Sequence, residues 1–185
     1  MPSSKISVSS AKASKNAEPE PEKQPVYFWR PHETDGYLGQ WYVSKFTVDG
    51  ESYATAEMWM MVSKARLFND EAIAKQMFAT TDPKAHKALG QKVKNFDAAT
   101  WDEKKLDIVI KGNYHKFTAS EDAAILRKRL LETGDRLLVE ASPRDRIWGV
   151  GFGEKNAWQN KHRWGQNLLG KALMSVRDRL REEDK

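Results

Sequence analysis

Cysteine is absent from the 185-residue chain, which excludes a disulfide framework, a thiolate nucleophile and any sulfur-ligated metal site. Such a chain sits most simply in a reducing compartment, so the expected location is intracellular, cytoplasmic or nuclear. No stretch of about 18 apolar residues occurs, and the N-terminus lacks the apolar segment of a secretory signal, which disfavours membrane spanning and secretion. Histidine is sparse: His32, His86, His115 and His162 are too widely spaced for a local ligand pair, so a metal would need ligands assembled by the fold. Two phosphate-binding signatures are missing as well. There is no P-loop lysine motif, and the glycines of GVGFG at 149–153 lack the spacing and the strand-to-helix setting of a dinucleotide fingerprint.

Bulky apolar surface, by contrast, is plentiful: seven Trp, seven Phe and five Tyr in a 39% hydrophobic composition. Each such ring buries on the order of 150–250 Å² when packed, enough to give one domain a sizeable core. Thirty-one Lys and Arg against 26 Asp and Glu leave a net charge of +5. That balance favours anionic partners over distance without naming one, and most of these side chains read as a solubilising surface.

Residues 1–25, rich in Ser, Lys, Ala, Glu and Pro, carry only Ile6 and Val8 as larger aliphatics. Such a segment cannot bury enough surface to offset its chain entropy, and a disordered tail is expected there. Residues 26–185 are the folded unit. Two or three short strands are expected before residue 55, punctuated by turns at Asp35-Gly36 and Asp49-Gly50. Thr55 then caps a helix whose buried stripe is Met58, Met61, Val62 and Ala65 and which ends near Phe68. Asp82-Pro83 opens another helix that Gly90 stops. Thr100 with Glu103, and Thr118 with Glu121, read as capping boxes for two more, closed by Gly112 and Gly134. RLLVEA at 136–141 reads as a short buried strand, and a last helix carries Leu168, Leu169, Ala172, Leu173, Val176 and Leu180 on one side. The expected fold class is α+β: a helix-dominated single domain in which one small β-sheet gathers the N-terminal strands with RLLVEA.

Three stretches hold the candidate site residues. In residues 49–68, Glu57 is a carboxylate in the first turn of an otherwise apolar helix, where the dipole and free amides stabilise its ionised form. Lys64 follows two turns later, about 10.5 Å along nearly the same face, so that one ligand can meet both. On periodicity alone the plainer assignment is favoured, with Glu57 as a helix-start residue and Lys64 at the surface. In residues 140–158, Pro143, Gly149, Gly151 and Gly153 break regular structure around Asp145, Arg146 and Trp148, a loop that reads either as a packed turn or as a site. In RWGQNLLG at 163–170, Asn167 is placed to cap the last helix. Trp101, and Trp41 within YLGQWY, are core residues by default.

Taken in order, YLGQWY, FTVDGESYATAEMWMMVSKARLF, GQKVKNFDAATW, KGNYHKF, TGDRLLVEASPRDRIWGVG and WGQNLLGKALMSVRDRL resemble the NADAR, or YbiA-like, family over roughly residues 37–180. The resemblance implies an N-glycosidase that cleaves a carbon–nitrogen bond at the anomeric carbon of ribose. The implied substrates are ADP-ribose attached to guanine of nucleic acid, phosphoribosylamino-pyrimidines of the riboflavin pathway, or ADP-ribosyl-arginine. It implies Glu57 and Asp145 as catalytic residues and Trp41, Lys64, Trp101, Trp148, Gly149 and Asn167 as substrate-binding ones. The implied partner is an ADP-ribose-type ligand, carried by DNA or RNA in the first case. The chain departs from the family pattern at Gly39, Met58 and Gln91, where Ser, an aromatic, His or Gln, and Arg are respectively expected, and these changes bear on substrate contacts.

Breaking a ribosyl–nitrogen bond builds positive charge on the sugar. Glu57 is therefore expected to stabilise that charge and to position or deprotonate the attacking water. Asp145 either orients the ribose hydroxyls or assists the leaving base, Trp101 and Trp148 stack on sugar or base, and Lys64 with nearby Arg side chains holds phosphate. No metal or organic cofactor is required. Two alternatives from other classes compete with this scheme: a binding module for ADP-ribose or nucleic acid, and an interaction scaffold whose tryptophans are all core.

Overall fold

The computed structural model describes residues 24–185, so the tail expected at residues 1–25 lies outside the described residues except for its last two positions. Helices dominate. α1 (Ala56–Leu67) begins where the Thr55 hydroxyl accepts the Met58 amide at 3.1 Å, which satisfies one of the free amides of the first turn. Ala56, Glu57, Met58, Trp59, Met60, Met61 and Val62 are all buried; a helix enclosed on every side belongs at the centre of a molecule. α2 (Glu71–Phe78), α3 (Pro83–Gly90) and α4 (Ala98–Ala119) pack around it, and α5 (Ala123–Glu132) lies against α4. After the short α6 (Glu154–Ala157), α7 (Leu168–Glu183) returns across α4. Its stripe of Leu169, Leu173, Val176 and Leu180 is fully buried, each such side chain contributing ~1.5–3 kcal/mol relative to exposure.

The strands depart from the expected single sheet. β1 (Val26–Phe28) pairs in parallel with β4 (Leu138–Glu140), while β2 (Val43–Val48) and β3 (Glu51–Thr55) form a separate antiparallel hairpin turned at Asp49-Gly50. Both turn residues have positive φ, the handedness that two-residue hairpins favour. The hairpin meets α4 and its end instead of β1: Phe46 bridges to Ser120, and the Lys45 carbonyl accepts the Glu121 amide at 3.1 Å.

Helix boundaries differ from the sequence reading where a competing cap or a neighbour decides. α2 has no counterpart in that reading. Asp70 caps it, with one carboxylate oxygen accepting the Ile73 amide at 3.2 Å and the other the Lys94 amide at 2.9 Å. α4 is capped by Asp97 and not by Thr100, because Asp97 accepts the Thr100 amide at 2.8 Å. Gly112 does not close it; the helix continues, and the missing Cβ leaves room for the Trp59 indole, into which any larger residue would run. Thr118 stays inside the same helix, donating to the Tyr114 carbonyl at 2.7 Å, so it caps nothing. The predicted ends at Thr55 and Gly90, and the strand within RLLVEA, agree with the structure. The consequence for function is that the start of α1 and the end of β4 open on one cavity.

Candidate active site

Glu57, in the first turn of α1, and Glu140, the last residue of β4, line one cavity of about 740 Å³. The first turn of α1 is docked by the turn that precedes β2: the Gln40 carbonyl accepts the Glu57 amide at 3.0 Å. That segment is in turn held by α4, where the wholly buried Lys116 donates to the Gly39 carbonyl at 2.9 Å and Asn113 donates to the Gln40 side chain at 2.8 Å. Trp41 is thereby set beside Glu57 and hydrogen-bonds to its carboxyl group.

Glu57 is only 5% exposed. Burial pushes its carboxyl up to about 7, against the opposing pull of Lys87 and the Trp41 hydrogen bond, with Asp145 adding to the rise. A helix terminus by itself favours the ionised form expected from sequence; desolvation outweighs the terminus here, because the cost of burying a charge exceeds the fraction of a charge that a helix end supplies. Glu57 therefore changes protonation state near neutrality, a property suited to proton transfer. Trp41→Phe removes a donor that favours the charged form, so Glu57 should titrate higher still. The expected outcome is an acid limb displaced to higher pH in the pH–rate profile, with a larger loss of activity at about pH 6 than at about pH 8.

The opposite wall is the loop after β4. Asp145 folds it by accepting the amides of Ile147 and Trp148 through one oxygen, each at 2.8 Å. Residues 146–150 then run beside 165–169, bonded through Gln166 N to Arg146 O at 2.8 Å and Leu169 N to Trp148 O at 3.1 Å. Gly149 sits where a Cβ would press on the Glu140 carbonyl. Asn167 occupies the cap position of α7, as expected, yet its side chain makes no cap bond. It donates to the Leu138 carbonyl at 2.9 Å and accepts the Glu140 amide at 3.1 Å, so it extends β4 on the side away from β1.

Of the residues singled out from sequence, Trp41, Glu57, Lys64, Trp101, Asp145 and Trp148 line the cavity, whereas Gly149 and Asn167 stand behind its wall and shape it. Lys64 is no surface cation: it donates to the Gly90 carbonyl at 2.8 Å and lies over the rings of Phe96 and Trp101. The tryptophans at 41, 101 and 148 likewise line the cavity, and those at 101 and 148 also pack against the core. Sequence reasoning missed Glu140, Lys87, Arg30 and Arg144, all of which line the same space. A carboxylate closing an otherwise apolar strand was a usable signal for Glu140; the three cations carried none. Among the three departures from the family pattern, Gln91 lines the cavity, while Gly39 and the buried Met58, whose sulfur meets the Ala54 amide, do not. Of the three, only the change at Gln91 therefore alters the cavity wall itself. Among the described residues, no helix is long and apolar enough to cross a membrane.

The chain is similar to known proteins across this same framework. An N-glycosidase of Acanthamoeba polyphaga mimivirus is 42% identical over 148 residues, covering 76% of this chain and 85% of that protein. A riboflavin biosynthesis protein of Vibrio vulnificus is 28% identical over 86% of this chain but only 40% of its own length. The solution structure of the Escherichia coli protein YbiA superposes with a TM-score of 0.71 at 26% identity, covering 88% of both chains. The NADAR domain model matches residues 27–181, a span that takes in both walls of the cavity and every element between them, and the chain accordingly belongs to the NADAR family.

Proposed function

We propose that this chain hydrolyses the bond between ribose C1 and nitrogen in ADP-ribosylated guanine of nucleic acid, releasing ADP-ribose. The coarser activity follows from its relatives, which are named N-glycosidases: the chain is a hydrolase of N-glycosyl bonds. The observation that carries the reading is Glu57, a carboxyl group enclosed beside Trp41 on the wall of a cavity of about 740 Å³, within the range of about 300–1,000 Å³ usual for small-molecule sites. As the glycosidic bond lengthens, the sugar becomes cationic and the Glu57 carboxylate stabilises it, then accepts the proton of the water that adds to C1. Trp41, Trp101 and Trp148 supply faces for sugar and base and exclude other water. Arg30, Lys64, Lys87 and Arg144 border the same space, and this concentration of cations favours a diphosphate over a single phosphate. Asp145, with one oxygen committed to loop amides, offers the other to the ribose hydroxyls.

A phosphoribosylamino-pyrimidine is the second reading, and the name of the Vibrio vulnificus relative favours it. Incubation with an ADP-ribosylated-guanine oligonucleotide, a phosphoribosylamino-pyrimidine and ADP-ribosyl-arginine, followed by mass spectrometry, separates them. The expected products are free ADP-ribose and the unmodified oligonucleotide. Cleavage confined to the pyrimidine transfers the assignment to the second reading, and salt-sensitive binding with every bond intact makes the chain a binding module.

A further inference from the structure

We propose that Glu140 is the acid that protonates the departing nitrogen. The inference rests on the N-glycosidase reading and adds to it the group that completes the proton balance. Loss of the nitrogen leaving group from C1 leaves an electron pair on that nitrogen, and expulsion as an anion is slow, so a proton has to be delivered as the bond breaks. Glu57 cannot deliver it while serving as the carboxylate that stabilises the sugar and takes a proton from water. A second, neutral acid in the same cavity is needed.

Glu140 has the geometry for that part. It lines the cavity with Glu57 and Asp145, and its backbone is fixed on three sides. Asn167 accepts its amide at 3.1 Å, its carbonyl accepts the Val150 amide at 3.0 Å, and the next residue, Ala141, is bonded to the Phe28 carbonyl at 2.9 Å. The side chain has no such anchorage. Its Oε2 is sealed from solvent without a hydrogen-bond partner among the described residues. A carboxylate left in that condition costs far more than a neutral acid does, so the protonated form is the one favoured there. Its surroundings favour the same form: burial, Asp145 and Glu57 push its carboxyl up to about 8 against the opposing pull of Lys87. The other charged groups on the cavity are Arg30, His32, Lys64 and Arg144. Asp145 is a poorer candidate, since one of its oxygens is held by two amides.

The balance closes. The C1–nitrogen bond breaks, its electron pair goes to nitrogen, and nitrogen takes the Glu140 proton. Water adds its oxygen to C1 and gives its proton to Glu57. Transfer of that proton from Glu57 to Glu140 restores both groups for the next turnover.

The test is Glu140→Gln, which keeps the shape and the neutral charge but cannot give up a proton. On the guanine-linked substrate its kcat should fall at least ~100-fold with KM within about threefold, and ADP-ribose binding should match wild type, which certifies the fold. Wild-type kcat should decline above about pH 8 as Glu140 loses its proton, and this alkaline limb should be missing from the residual activity of the variant. Glu140→Asp, still an acid but shorter, should be slower and keep the limb. A kcat loss under ~10-fold in Glu140→Gln, or an alkaline limb that survives in it, overturns the assignment. So does a wild-type profile with no alkaline limb, whatever the variants do. An inert wild type overturns the N-glycosidase reading and this inference together, whereas an active wild type with an unaffected Glu140→Gln overturns the acid alone.

Discussion

Glu57→Gln is expected to lower kcat by at least ~100-fold, with little change in KM, and to make the protein more stable at alkaline pH. The two effects have one origin. Gln fills the same space and can still meet the Trp41 indole with its carbonyl oxygen, but it carries no charge to set against a cationic sugar and accepts no proton from water. The stability change follows from linkage. The folded protein holds the Glu57 proton up to about 7, well above the ordinary carboxylate value of 4.5, so between those limits the folded state binds more protons than the unfolded one. Stability contributed by this residue is then fully present below about 4.5 and lost as pH rises through about 7. Glu57→Gln abolishes that loss, and a gain on the order of 1–3 kcal/mol at about pH 8 is expected, read as a raised Tm against wild type at the same pH. Below about pH 4 the two proteins should differ far less. Near-normal turnover would remove Glu57 from the mechanism. Unchanged stability at alkaline pH would mean that its carboxyl is better solvated than its enclosure indicates.

These effects also show which features local chemistry announces and which depend on distant contacts. Thr55 announces α1 because a cap and the apolar stripe behind it are contiguous in the chain, and both survive into the structure. Asp70 offers the same kind of signal for α2, with Ile73, Ala74 and Met77 spaced to form its buried face. Gly112 is different in kind. Its local meaning is a helix terminator, and only the Trp59 indole, contributed from 53 positions earlier in the chain, turns it into a clearance inside a helix that continues. Protonation states are less legible still. Glu57 was visible as an odd carboxylate, but whether the helix end or the surrounding desolvation governs it depends on Lys87, Trp41 and Asp145, none of them its neighbour in sequence. Glu140 is legible only as a carboxylate closing a strand of buried leucine and valine, and the loop through Asp145 is what makes the end of that strand a cavity wall.

Asn167→Ala should be among the most destabilising single changes in the chain, at ~3–5 kcal/mol, and should slow the enzyme by a route separate from binding. Two backbone groups lose the side-chain partner they have among the described residues: the Leu138 carbonyl, which accepts from Asn167 at 2.9 Å, and the Glu140 amide, which donates to it at 3.1 Å. Each unsatisfied buried group costs ~1–3 kcal/mol. The backbone adds to this, since Asn167 has a φ of +50° and ψ of +42°, a left-handed conformation that Asn tolerates and Ala resists by ~1 kcal/mol. Asn167→Gly separates the contributions, because Gly adopts that backbone freely yet restores neither hydrogen bond; it should recover about 1 kcal/mol of the loss and no more. Asn167→Asp should be worse than Gly, as it turns a carboxylate oxygen toward the Leu138 carbonyl where the amide had donated. There is no slack for a larger repair: a Cβ on Gly170 would already strike both the Leu138 carbonyl and the Asn167 amide. Urea unfolding of the three variants measures the order, Gly above Ala and Gly above Asp. Because the same amide fixes the backbone of Glu140, the folded fraction of Asn167→Gly should show reduced kcat while ADP-ribose affinity stays near wild type. Affinity lost in parallel with kcat would instead make Asn167 a ligand contact, as its resemblance to the family's binding residues implies.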